Sequence, residues 1–278
     1  MALKDVLVHI DNSPSCPARL DVAINLAREN GAHLAGLYVI GLAPIHQYAE
    51  ADLGPELIEA HDRYMREASK EAEQMFKQRI EGAGLDAEWR SVEGNVSETV
   101  ALNARYADLA ILGQRNVERL DPGTAPEMPE HTVLDVGRPV LVVPHGGEFP
   151  AIGKRVIVAW KANRGGARAV NDSLVFLKKA EKVLVLSVNP RGGISGGGDV
   201  PGADIARHLA RHGIDAEVAQ VTKEELSVGE MLLSRAAEFG ADLLVMGAFG
   251  RSRWRSMILG GVTRNILGNM TLPILISR

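Results

Sequence analysis

Cysteine is nearly absent. Cys16 is the single one in 278 residues, so neither an internal disulfide nor a multi-thiolate metal site can form. Aromatic residues are scarce at 4%, which leaves few platforms for stacking unpaired bases. No apolar run reaches the ~18–20 residues of a membrane span. There is no basic excess either. Thirty-one Lys and Arg face 35 Asp and Glu, for a net charge of −4, whereas nucleic-acid binders usually carry a basic patch or stripe. Met1 to Asp5 run directly into a strand pattern, so no signal peptide is expected and the reading is cytoplasmic. What remains is the composition of a globular chain, 46% hydrophobic and 24% charged. Its length admits one large domain or two of ordinary size.

The chain repeats itself. A short β-branched run from Asp5 to Asp11 is matched by another from Lys154 to Trp160. Each precedes a polar loop and an Ala-rich stretch that predicts a helix, over about 17–30 and 165–179. Second strands are expected at His33–Ile40 and Lys182–Val188. The later parts align without a gap. Ala107-Asp108-Leu109 parallels Ala241-Asp242-Leu243, and Gly113 to Pro139 spans 26 positions, as does Gly247 to Pro273. The offset is 134. A longer helix is expected over about 55–82, ended by Gly82-Ala83-Gly84.

Strands alternating with helices imply βαβ units and a mostly parallel sheet in each half. The boundary falls in the Gly/Pro-rich stretch His145–Pro150, which divides the chain into 1–147 and 148–278. The apolar closing strands at 139–143 and 273–276 are expected at sheet edges, where they need covering. Ligands of such sheets sit beyond the strands' carboxyl ends. That selects the residues after Ile10, Val39, Leu112, Ala159, Val188 and Met246.

One segment there carries a pattern. A strand ends at Met246, then Gly247 and Gly250 follow at a spacing of three, then a basic loop with Arg251, Arg253 and Arg255. Gly260-Gly261 opens a helix over about 262–269, with Val262 and Thr263 in its first turn. Glycines admit close backbone approach, and a helix N-terminus offers unpaired N–H groups and a positive dipole end. Thr263 supplies a hydroxyl and Arg251 or Arg253 a charge. The combination suits a phosphate chain.

This segment resembles the ATP-binding loop of the universal stress protein family, G-x2-G-x9-G-(S/T). Gly247, Gly250 and Gly260 match the three glycines. The chain as a whole is similar to two such domains fused in tandem. The resemblance implies an α/β fold of two Rossmann-like domains, of the adenine nucleotide alpha hydrolase-like type. Each would be a five-stranded, mostly parallel sheet flanked by helices. It implies pairing of the two domains through their last strands, an internal pseudo-dimer; whether two chains form a homodimer stays open. It also implies a stress-response sensor or regulator whose second half binds ATP, ADP or AMP, with Mg2+ as companion. The site would comprise Trp160, Lys161, Val188, Gly247, Gly250, Arg251, Gly260, Gly261, Val262 and Thr263.

The chain departs from that pattern in both halves. Gly261 stands where the signature has Ser or Thr, and Thr263 matches a second hydroxyl position. The family commonly ends its first strand with an aspartate. The first half has it as Asp11, but the second has Lys161. In the first half the aligned loop reads Asn116, Pro126, Glu127 and Pro129. Prolines remove N–H donors there, and Glu127 and Glu130 place negative charge where a phosphate would lie. The first half is therefore expected not to hold a triphosphate.

Other features suggest less. His208 and His212 have a metal-compatible spacing without an evident third ligand. Gly193 to Gly197 spells G-x-S-x-G around Ser195, but lacks the strand and helix a nucleophile elbow needs. Cys16, beside Pro17 at a helix start, reads as an inert thiol. No general base and no phosphate-loop Lys-Ser/Thr pair stands out. The sequence leaves three functions open: a nucleotide-binding regulator, a stress scaffold or small-ligand binder, and a slow ATPase or a hydrolase using Ser195.

Overall fold

The computed structural model describes residues 2–41, 55–116, 121–125, 128–188, 202–222, 227–248 and 260–278. Strand–helix alternation runs throughout. The first half contains β1 (Asp5–Ile10), α1 (Cys16–Asn30), β2 (His33–Gly41), α2 (Pro55–Ala83), β3 (Ala87–Gly94), α3 (Val96–Ala104), β4 (Leu109–Gly113), α4 (Glu130–Asp135) and β5 (Val140–Val143). The second contains β6 (Arg155–Ala159), α5 (Arg164–Leu177), β7 (Lys182–Val188), α6 (Ala203–Arg211), β8 (Glu217–Val221), α7 (Val228–Phe239), β9 (Leu243–Gly247), α8 (Gly261–Asn269) and β10 (Ile274–Ser277). Local chemistry marks the ends. Pro17 lies in the first turn of α1, and Gly31 closes that helix at φ 56, its N–H donating to Ala27 and Arg28. Ser227 and Glu230 form a reciprocal capping box at α7.

The ten strands form one sheet in the order β3-β2-β1-β4-β5-β10-β9-β6-β7-β8. Every pairing is parallel except the one that joins the halves. There β5 and β10 run antiparallel, with Ile274 opposite Val142, Leu275 opposite Leu141 and Ile276 opposite Val140. The two closing strands therefore lie at the edge of each half and cover one another. This is the internal pseudo-dimer that the last strands were expected to form.

Because side chains alternate along a strand, the sheet has two apolar faces. On one, Val8, Leu34, Leu141 and Leu275 pack with Leu20 of α1, Phe76 of α2, Leu174 of α5 and Leu209 of α6. On the other, Leu7, Leu37, Val142 and Ile274 pack with Val100 of α3, Val133 of α4, Leu232 of α7 and Ile266 of α8. Both layers cross the junction without interruption.

The repeated aspartate has a structural duty. Asp108 accepts from the backbone N–H groups of Lys4 and Asp5 (2.8 and 3.1 Å). Asp242 accepts from those of Gly153, Lys154 and Arg155 (2.9, 3.0 and 3.1 Å). Each carboxylate pins the start of its half's first strand. Across the junction Gln114 acts as a clamp. Its Nε2 donates to the carbonyls of Leu267 (2.9 Å) and Gly268 (3.3 Å) in α8, and its Oε1 accepts from His145 N–H (3.0 Å).

Leu141 and Leu275 are both fully buried. Truncating either to alanine should cost about 2–5 kcal/mol in urea unfolding. Because the two side chains are register partners, the double variant should lose measurably less or more than the sum of the singles.

Candidate functional site

Parallel strands leave their carboxyl ends together, and each half has a crevice there. The strand registers relate the two. Val6 pairs with Leu109 as Val156 pairs with Leu243, so β6 repeats β1 at an offset of 150.

In the second half the crevice is shaped by backbone against backbone. A Cβ on Gly247 would lie 2.4 Å from the Gly165 carbonyl carbon and 2.7 Å from Gly166 N. A Cβ on Gly166 would lie 2.2 Å from Lys161 O. The end of β9 thus presses directly on the first turn of α5, which Asn163 caps by accepting from Gly166 N–H. Gly247 is glycine for this close approach. Trp160 is half-buried against the core, and its backbone N–H donates to Leu186 O (2.9 Å). Val188 closes β7, half-buried, and Lys161 is exposed. The βαβ connection starts α8 at the same end of the sheet. Gly260 is its N-cap, without a side-chain cap, and its first turn holds no acidic residue. Gly261 and Val262 are exposed, whereas Thr263 is 3% exposed. Among the described residues nothing lies within 4 Å of a Cβ placed on Gly260 or Gly261. Gly250, Arg251, Arg253, Arg255 and Ser195 lie outside the described residues.

In the first half the same place is filled by an ion pair. Asp11, just past β1, accepts from Arg19 Nη2 (2.7 Å), Ser13 Oγ (2.5 Å) and Ser13 N–H (2.9 Å). Arg19 Nε donates to His9 O (2.9 Å). Both charged groups are buried, at 1% exposure for Arg19 and 4% for Asp11. The guanidinium lies where a side chain on Gly113 would be. At the offset of 150 the second half replaces His9, Asp11 and Arg19 by Ala159, Lys161 and Ala169. Asp11 is also covered from above. Asn12 N–H donates to Pro122 O (3.0 Å), and a Cβ on Gly123, at φ +81, would lie 3.3 Å from Asp11 Cα. Asn12 is held further by Tyr38 Oη (2.8 Å) and Ala68 O (3.0 Å). The helix that follows starts badly for an anion, with Pro129 as N-cap and Glu130 in the first turn of α4. Pro126 and Glu127 lie outside the described residues.

Burial shapes the ionisation. It pushes the Asp11 carboxyl up, but Arg19, His9 and Ser13 outweigh it and hold the group below the ordinary carboxylate value. Burial likewise opposes the Arg19 charge, and Asp11 restores it. His9 is pushed down to about 4, by burial first and against the pull of Asp11. Burial raises the Cys16 thiol to about 11, so no thiolate forms there near neutrality. The His208 and His212 rings touch edge to face at 4.8 Å. Among the described residues no group of three or more His, Cys, Asp or Glu could hold a metal ion. No described helix is long and apolar enough to cross a membrane.

Arg19, His9 and Gln114 were not singled out from the sequence. Arg19 had a signal: it sits among the apolar positions of α1, three residues after Cys16 and four before Ala23. Gln114 had none, because its partners come from elsewhere in the chain, and His9 lies within a strand run that nothing marks as polar-paired.

The universal stress protein family matches residues 2–144 and 154–278. The chain belongs to that family. It is a tandem member, with two family domains in one polypeptide. A universal stress protein from Archaeoglobus fulgidus DSM 4304 is similar in structure with a TM-score of 0.72 at 18% identity, over 99% of this chain and 96% of that one. A universal stress protein from Pseudomonas aeruginosa UCBPP-PA14 gives 0.59 at 14%, over 99% and 93%. The universal stress protein from Archaeoglobus fulgidus in complex with dAMP gives 0.35 at 16%, over 51% and 98%. No curated protein is significantly similar to the chain. Some members of the family bind adenine nucleotides.

Two outcomes are expected from the buried charges. Arg19→Met should cost about 3–5 kcal/mol in urea unfolding, because it strands a buried carboxylate; adding Asp11→Asn should recover part of the loss, read as a double-mutant coupling. The second concerns pH. Between about 6.5 and 4 the unfolded chain protonates His9 and the folded chain does not. Stability is full above that window and falls on acidification through it, by on the order of 3 kcal/mol. His9→Asn should flatten that part of the profile. Asp11, with its folded pKa depressed, adds a further loss only at more acidic pH.

Proposed function

We propose that the protein is a stress-response regulator whose second half binds an adenine nucleotide at the start of α8. The observation that carries this reading is the pair Gly260-Gly261. Both stand at the start of a nine-residue helix, without a side-chain cap, and no described residue lies within 4 Å of where a side chain would go. Glycines at a helix start let an anion approach the backbone N–H groups, which is what a phosphate needs. Thr263 adds a hydroxyl, and Lys161 a cation at the carboxyl end of β6. Trp160, Val188, Gly247 and Val262 belong to the same proposed site, and Gly250 and Arg251, outside the described residues, are assigned to it from the glycine spacing alone. The adenine preference follows from the family.

The first half supports a different role. Its aspartate is already matched by Arg19, and its loop helix begins with Pro129 and Glu130. Nucleotide binding by this half is not part of the proposal. A scaffold or small-ligand role suits it better.

Thermal unfolding with AMP, ADP and ATP tests the reading. Stabilisation should approach about 2.7 kcal/mol at a hundredfold excess over Kd. Because no described residue lies within 4 Å of a Cβ on Gly260 or Gly261, Gly260→Val and Gly261→Glu should fold normally and lose the nucleotide shift. Asn116→Val in the first half should keep it. No shift with any of the three nucleotides would return the protein to the scaffold reading.

A further inference from the structure

Side chains four residues apart on a helix lie on the same face. Helix α6 ends with two histidines at that spacing, His208 in its last turn and His212 as C-cap. Both are exposed, so an ion can reach them from solvent. The turn that carries them is anchored from below. Leu209 and Ile214 are buried, and Leu209 O accepts from both His212 N–H (2.9 Å) and Ile214 N–H (3.1 Å). Gly213, at φ +77, lets the chain turn back there.

The spacing of the rings decides what they can hold. An ion bound to two imidazole nitrogens at about 2.0–2.1 Å, with an angle of roughly 90–110° between them, sets the ring centres about 4.5–5.2 Å apart. In this chain the centres lie 4.8 Å apart, the rings edge to face. Rings at that distance need turning, not backbone movement, to aim one nitrogen each at a common point. The position also suits a cation, because the carboxyl end of a helix is the negative end of its dipole. Arg207, before His208, has its charge answered by Asp204 (3.3 Å). Arg211, beside His212, acts against a cation, so the imidazoles must supply the affinity. Imidazole suits Zn2+, Cu2+ and Ni2+, whereas Mg2+ and Ca2+ take oxygen ligands. Among the described residues no third His, Cys, Asp or Glu joins the pair.

We propose that His208 and His212 form a two-point chelate for a late first-row divalent cation, Cu2+ more tightly than Zn2+, with the remaining positions open to water or an outside ligand. Helix α6 ends where β8 begins, at the amino-terminal end of the strands. The chelate therefore lies at the opposite end of this half from the crevice proposed for the nucleotide and does not depend on that reading.

The test uses the full chain, untagged, 15N-labelled and stripped of metal with EDTA, at pH 7 in a non-chelating buffer. Zn2+ is titrated while long-range 1H–15N spectra of the imidazoles are recorded. The chain has eight histidines, so the two signals are assigned by their loss in His208→Asn and His212→Asn, both surface changes that leave the core intact. The two rings should shift together and saturate at one Zn2+ per chain. Each single variant should weaken Zn2+ by about tenfold or more, and His145→Asn should leave the affinity unchanged. By calorimetry Cu2+ should bind about tenfold or more tightly than Zn2+. Mg2+ should move neither ring. Zn2+ affinity undiminished in either variant would overturn the proposal. So would movement of other imidazoles in place of this pair, or no saturable shift up to about 1 mM Zn2+.

Discussion

The antiparallel pairing of β5 with β10 is the constraint on which the molecule is built. Each half on its own would end in a short apolar strand with an unpaired edge, and such edges invite association. Joined, they turn two five-stranded sheets into one of ten. The pairing also fixes where the crevices lie. Strands within a half run parallel and the halves run opposite to each other, so the two sets of carboxyl ends point to opposite edges of the sheet. The carboxyl end of the first half therefore meets the amino-terminal end of the second. That is why Gln114, one residue past β4, reaches the last turn of α8, while the first turn of the same helix stands at the other edge.

At the two crevices the same fold solves one packing problem twice. The space between the first strand, the fourth strand and the first helix must be filled. The second half fills it by bringing backbones together over Gly247, Gly165 and Gly166. The first half fills it with a guanidinium and a carboxylate, held apart from water and satisfied by His9 O and Ser13. A buried pair of this kind is weak evidence for added stability, but losing one partner is costly. It commits Asp11 to the interior. A family position that could face a ligand has become part of the core.

Much of the architecture was legible in the sequence because its signals are local. The repeat at an offset of 134 identifies Asp108 with Asp242, and the structure gives both the same duty at the start of a strand. The expected helix near 262–269 is observed as Gly261–Asn269, and that near 17–30 as Cys16–Asn30. The pattern also separated the halves by the start of their loop helices, glycines in one and Pro129-Glu130 in the other. What escaped was set by contacts distant in sequence. Nothing near Gln114 announces a partner 153 residues away. Gly247 shows a subtler gap: its place in the glycine spacing suggests a ligand, whereas its immediate neighbour is the backbone of α5.

Gln114 carries one more lesson. In an assembly of two identical chains, every substitution is written into both copies, and a contact across the twofold axis must suit itself. Here residue 114 is glutamine while its counterpart, at the offset of 134, is Ala248. The clamp therefore exists on one side of the junction and has no mirror image. Two halves within a single polypeptide are free of that symmetry, so Asp11 and Arg19 can fill the crevice of one while Lys161 and Ala169 stand at the same positions of the other.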